Sequence, residues 1–405
     1  MQNPTSVIIS EKAPAEKLPL THFEKYIQSA KKLYGTDPLK EIAAACPLIP
    51  NYSEGKLDDR PYRRVAIELI KKAFKRATSP QEQYALDHLT VDDFYKDAIL
   101  ASEFRSALNL LHHIHLFSKT RMVFQFAEAL TAKLLYTDVH KVDSSFVVSP
   151  FPSIYLDIPH NRDLMIRNEI TGMHRVVGIY VSYTEEVQHL NESYPEKEKD
   201  SDGIHPSLKW EGQPCNKAFR IFAVGEKNSQ SLDDMDDATF FMTLLFGPGD
   251  VFPQLERTLE VNTPTINKGK DEGHMRKLFE FVLNALLYIS SPSADFVKIP
   301  AKAEPVQKKD KKKKPAKRYS SIGVVSTGSK VYISHEYRKS YREGTLGDLP
   351  QARKNAKTPT WMVRGHYRNQ AHGPNMSLRC LKWIHPHVKG KGIDDAVCAR
   401  EYIVK

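Results

Sequence analysis

The hydrophobic periodicity of this chain changes twice, and the two changes set its fold class. Towards the N-terminus, THFEKYIQSAKKLYG, RPYRRVAIELIKKAFKRAT and DDFYKDAILASEFRSALNLLHHIHLFSKTRMVFQFAEALTAKLLY place apolar residues at helical spacing, with charged groups on the opposite faces. The last stretch holds neither Pro nor Gly and is read as two or three packed helices. Near Val142 the pattern turns to short runs rich in β-branched and aromatic residues, SSFVVSPFPSIYLDIP, RVVGIYVSY and AFRIFAVGE, bounded by Pro, Gly and Asn. These runs predict a sheet, with NESYPEKEKDSDG as an exposed loop between the second and third. MRKLFEFVLNALLYISS, from Met275 to Ser291, returns to helical spacing with a nearly continuous apolar face and is expected to pack on that sheet. The class that follows is α+β: an N-terminal helical region, a central mixed sheet with a packed helix, and a small basic C-terminal module. No internal repeat is visible.

Composition narrows the function classes. A chain of 405 residues, 40% hydrophobic and 27% charged, has room for a sizeable core, and no apolar run reaches the roughly 18 residues that would span a bilayer. No membrane partner is expected. The start, MQNPTSVIISEKAPAEKLPL, lacks the basic, apolar and small-residue regions of a secretory signal. Cys46, Cys215, Cys380 and Cys398 are scattered and form no CxxC pair, which points to buried free thiols in a reduced, cytoplasmic setting. No cofactor and no metal are expected.

Charge is concentrated at one end. Residues 302–405 carry 24 Lys and Arg against 8 Asp and Glu, whereas residues 1–301 carry 35 against 41, the totals being 59 and 49. A cationic surface of that density attracts phosphate, because binding releases the counterions condensed on a nucleic acid. AKAEPVQKKDKKKKPAKR is too poor in apolar residues to repay its own ordering, and is read as a linker that tethers or touches RNA. The expected division is a disordered tail (1–20), a helical region (21–141), an α+β body (142–300), a lysine-rich linker (301–318) and a basic C-terminal module (319–405).

Several clusters invite a chemical reading. In LLHHIHLF, His112 and His115 share a helix face, but no further ligand follows at a metal-binding offset. DDMDD, Asp233 to Asp237, lacks the glycine and terminal Glu of a calcium loop and reads as a solvated helix start. Asp157 alternates onto the same strand face as Tyr155; a carboxylate there is either a structural anchor or a contact for a cationic group such as a peptide amino terminus. The densest cluster is TPTWMVRGHYRNQAHGPNMSLRCLKWIHPHVKGKG. Arg364, Arg368 and Arg379 suit phosphates or base faces, Lys382 and Lys389 add charge, and His366, Tyr367 and Trp383 offer planar faces. In the alternative reading, Trp361, Tyr367 and Trp383 form the small core of a hairpin. A third reading is acid–base work by His366, His372, His385 and His387, with His366 the candidate catalytic residue of a metal-independent ribonuclease.

VRGHYRNQAHGP followed by LKWIHPHVKG resembles the C-terminal RGHW-type signature of a family carried by phages and mobile elements, whose best-known members are type V-A anti-CRISPR proteins. The order IYLDIP, GIYVSY, LFEFVLNALLYISSPSADF and then the tail module is similar too, over roughly residues 142–392. Arg364, Gly365 and His366 match the motif, Tyr367 stands where Trp is common, and Trp383 matches the later tryptophan. The resemblance implies a protein of the bacterial host cytoplasm that lowers production of the type V-A effector nuclease. It would do so by recognising the N-terminus of the nascent polypeptide and causing translation-dependent loss of its mRNA. Its partners would be that nascent chain and the mRNA or translating ribosome, with Tyr155 and Asp157 as peptide-binding candidates and the tail module facing RNA.

Overall fold

The computed structural model describes residues 31, 35–45, 64–68, 111–117, 120, 122–168, 172–185, 187–191, 194–226, 238–261, 271–291, 294–299, 323–327, 342–343 and 360–390. The expected tail (1–20) and linker (301–318), Asp233 to Asp237, Cys46 and Cys398 lie outside them.

Fifteen strands are described, most of them gathered in one sheet. They are β1 (Met122–Phe126), β2 (Thr137–Asp138), β3 (Ser153–Asp157), β4 (Met165–Asn168), β5 (Gly172–Thr184), the two-residue pair β6 (Lys209–Trp210) and β7 (Gln213–Pro214), β8 (Lys217–Gly225), β9 (Thr239–Phe246), β10 (Phe296–Ile299), β11 (Gly323–Thr327), β12 (Thr360–Val363), β13 (Gly365–His372), β14 (Leu378–Ile384) and β15 (His387–Gly390). The large sheet has eight strands in the order β10-β11-β1-β3-β5-β8-β9, with β4 also paired to β5. β1 lies parallel to both of its neighbours, β11 and β3, and the other pairings are antiparallel.

β1 corrects the helical reading of its segment. MVFQF sits inside a stretch with helical spacing, but a five-residue apolar run does not distinguish strand from helix by period alone. A place between two parallel strands decides it in favour of the extended form. The sheet also crosses the expected boundaries, drawing β1 from the region read as helical and β11 from the basic C-terminal segment.

One sheet face builds the main core. Phe124, Leu156, Ile179, Val181, Ile221 and Leu244 project to the same side and form a single cluster with Leu278, Phe281, Val282 and Leu286. These last four belong to a helix, Glu272–Ile289, whose apolar positions recur as the sequence predicts. Numbering the three helices around the site α1 (Glu128–Leu135), α2 (Val251–Val261) and α3 (Glu272–Ile289), α3 packs against the other two. Each large apolar side chain buried there contributes about 1.5–3 kcal/mol before entropy is counted.

The opposite face carries a cross-strand row of rings, Tyr155–Tyr180–Phe222–Phe241, in register across four strands. Helical residues 111–117 cover it. The Phe117 ring lies 6.3 Å from Tyr155 and 5.8 Å from Tyr180, and His113 stacks 5.4 Å from Phe222. His112, His113 and His115 are all buried, and no group of three His, Cys, Asp or Glu among the described residues is placed to hold a metal. Burial, reinforced by the Arg220 guanidinium, holds His112 down to about 3 and His113 well below the usual imidazole range.

Two buried polar side chains tie loops to this frame. Asn284, in α3, donates from Nδ2 to the carbonyls of Leu134 and Thr137, both at 2.9 Å, fixing the end of α1 and β2. Lys217 donates to the carbonyls of Ser144, Val147 and Ser145 at 2.9, 3.2 and 3.4 Å, and its burial lowers the ammonium pKa. Among the described residues no helix is long and apolar enough to cross a membrane.

Candidate nucleic-acid interface

The RGH segment enters the structure where β13 runs parallel to β2, pairing Gly365 with Thr137 and His366 with Asp138. The Gly365 N–H donates to the Tyr136 carbonyl at 3.0 Å. Only glycine fits this approach, since a Cβ there would collide with Thr137 Oγ1 and come within 2.7 Å of Pro386 Cδ. β13 then pairs antiparallel with β14, and the register sets Tyr367 opposite Trp383, Arg368 opposite Lys382 and Ala371 opposite Arg379.

Alternation divides this hairpin into two faces. Tyr367 and Trp383 point inward at 7% and 6% exposure and belong to the main core. The Tyr367 hydroxyl donates to the Asn284 carbonyl at 3.2 Å, and burial pushes it up out of the ordinary phenol range. Trp383 donates from Nε1 to Thr137 Oγ1 at 3.1 Å, while that hydroxyl donates to the Lys133 carbonyl at 2.7 Å. Tyr288 meets the Trp383 ring edge-on at 5.4 Å. The two rings thus hold the hairpin to α1 and α3 as part of the main core and do not form a separate small core of the hairpin, and the exposed groups are left for contact.

Those exposed groups are almost all donors. His366, Arg368 and His372 from β13 share the outward face with Lys382 from β14, and each is exposed. Arg368 hydrogen-bonds Gln370, and Arg379 is exposed nearer the tip. Arg364 lies over the Tyr136 ring at 5.8 Å and faces Glu280, whose carboxyl burial raises while Arg364 pulls it down. Lys389 stands in β15 opposite Trp361. At the tip, Gly373, Asn375 and Met376 take positive φ of 76°, 51° and 55°, leaving Met376 and Leu378 at 69% and 53% exposure.

His366 and His372 do not come together as an acid–base pair. They lie at opposite ends of β13, roughly 20 Å apart at the usual rise per residue. The His385 ring stacks on Trp383 at 4.1 Å with Nδ1 3.3 Å from the Lys133 ammonium. Loss of water around the ring and the neighbouring charge lower His385 to about 4.

The peptide-binding candidates lie on the other face of the large sheet. Tyr155 is fully buried beneath residues 111–117, whereas Asp157 is half-buried at the end of β3, where Oδ2 accepts from Gln125 Nε2 at 3.0 Å. Sequence reasoning missed a cleft of about 300 Å3 that follows this strand, lined by Glu128, Pro159, His160 and Arg342. Arg342 forks onto the Glu128 carboxylate at 2.5 and 2.9 Å across 214 residues of sequence, a separation that no local pattern reveals.

No curated protein sequence matches the chain. A solved crystal structure of AcrVA2 is similar to it at 12% identity and a TM-score of 0.42, over 89% of this chain and 96% of that one. The model of the AcrVA2-like family, anti-CRISPR type V subtype A2, matches residues 124–388, from β1 through the buried tryptophan of the hairpin to β15, and the chain belongs to that family.

Proposed function

We propose that this protein recognises the N-terminal segment of a nascent polypeptide, the type V-A CRISPR effector nuclease or another protein, and promotes translation-dependent loss of its mRNA. The observation that carries the reading is the family match over residues 124–388, which takes in both the strand bearing Asp157 and the hairpin bearing Arg368. Two further features support it. A cationic hairpin face suits RNA of the message or ribosome, and a carboxylate-bearing region on the far side of the sheet suits a peptide with a charged amino terminus. Two ligands then bind without competing for the same surface.

Selective ribosome profiling tests this in a bacterial cell that makes a type V-A effector together with the tagged protein, with message levels followed in parallel. Enrichment on ribosomes once the effector N-terminus has emerged, with loss of that message, is the expected result. No ribosome association and no change in any message would refute it. General nucleic-acid binding is the second reading, favoured by the absence of any Asp or Glu between Leu349 and Ile393. It predicts RNA retention that is indifferent to the nascent sequence.

A further inference from the structure

We infer that the β13–β14 hairpin is a ribbon that reads the backbone of A-form, double-stranded RNA, and not a platform on which single-stranded bases stack. This deepens the RNA contact of the proposed function and rests on it. Proteins that hold single strands present aromatic faces to successive bases, whereas duplex RNA is recognised through shape, phosphates and 2′-hydroxyls. The hairpin has its two large rings, Tyr367 and Trp383, turned into the core. Its outward face offers guanidinium, ammonium, imidazole and amide groups, from Arg368, Lys382, His366, His372 and Gln370.

The arrangement of charge argues in the same direction. Arg368 and Lys382 are direct cross-strand partners, and like charges so placed repel. No ion pair to either is formed among the described residues, and no carboxylate occurs anywhere in the hairpin. A polyanion running along the ribbon relieves that repulsion. Outward residues recur about every 7 Å along each strand, which lets one face meet successive phosphates of a strand. A two-stranded ribbon is narrow enough to lie along a nucleic-acid groove, and the A-form minor groove is wide and shallow. The exposed Met376 and Leu378 at the tip then rest against sugars.

The test uses the purified full chain and fluorescence anisotropy with three labelled probes: an RNA stem-loop with a stem of about 16 base pairs, the length a duplex-RNA module spans, an unstructured RNA of equal length, and B-form DNA of the stem sequence. The RNA stem should bind at least fivefold more tightly than either of the others. Arg368→Gln combined with Lys382→Gln should weaken stem binding about tenfold and lower the slope of log affinity against log salt by about 1.4–1.8, two phosphate contacts' worth. Lys197→Gln, an exposed cation in a 3-10 turn of a different segment, should do neither. Thermal melting identifies any variant that fails to fold, and Arg368→Lys, which keeps the charge, should then retain most of the binding. Tighter binding of the unstructured RNA, equal binding of the DNA, or an unaltered salt slope in the double variant would overturn the inference. Loss of the effector message in cells despite such a result would leave the proposed function standing. Duplex binding as expected but no loss of message would do the reverse.

Discussion

The Tyr155 ring reaches over Gly178 on the neighbouring strand, and a Cβ built on that glycine would fall on the Tyr155 hydroxyl and within 2.6 Å of Cε2. Gly178 is therefore the gap in β5 that allows the Tyr155–Tyr180 ring row to form, with centroids 4.7 Å apart.

Gly178→Ala should cost about 3 kcal/mol or more, because neither the strand backbone nor the fully buried ring can give way. Urea denaturation measures it. Adding Tyr155→Val should recover part of the loss, and a double-mutant cycle showing no coupling would exclude the overlap as its cause.

Trp383→Phe removes the donor to Thr137 Oγ1 and should destabilise by about 1–2 kcal/mol. Thr137→Val should cost a similar amount, since Thr137 also donates to the Lys133 carbonyl. The two losses share one hydrogen bond, so together they should fall short of their sum by at least about 0.5 kcal/mol in denaturation midpoints.

Lys217→Met keeps most of the side-chain volume but removes the ammonium from the carbonyls of Ser144, Ser145 and Val147, of which Ser144 keeps the Val147 N–H. A loss of about 2–3 kcal/mol is expected, accompanied by faster amide exchange in residues 144–147. Unchanged exchange there would show that the ammonium does not hold this turn.

Acid should weaken the fold through its buried histidines. His112 and His113 stay neutral in the folded chain, whereas the unfolded chain takes up protons near 6.5. Their contribution is fully present above that value and falls as the pH drops towards about 3, the folded value of His112. Each contributes a slope of up to about 1.4 kcal/mol per pH unit. Asp163 and Glu280 act in the opposite sense, because burial raises their carboxyls above the ordinary 3.8 and 4.5, so they offset part of the loss as the pH falls through those raised values. Urea midpoints should therefore fall between pH 6.5 and 5, and His112→Gln with His113→Gln should flatten that fall.

Much of this architecture was legible before the coordinates. RVVGIYVSY lies within β5, AFRIFAVGE falls within β8 except for Glu226, and LFEFVLNALLYIS falls almost wholly within α3, because long segments with a strong period declare both type and orientation. β1 was hidden by its brevity and its helical flanks, and GVVST of β11 by a basic setting that drew attention to charge. In the candidate site the residue types were legible but the faces were not. Tyr367 and Arg368 are adjacent in sequence, and only the pairing to β2 and β14 decides that the ring turns inward and the guanidinium outward. The Glu128–Arg342 fork was beyond reach, since nothing local to either residue points to the other.

The pairing of β1 with β11 joins Met122 to Gly323. During synthesis an interior strand of the sheet therefore waits for a partner roughly two hundred residues downstream, with one edge open until the late segment has left the ribosome. Contacts so far apart in sequence slow folding, and an unpaired edge invites association with other chains. A chain ending before residue 323 lacks more than its basic hairpin: it carries a sheet with an uncovered edge, and its yield should depend on how long a chaperone can shield that edge.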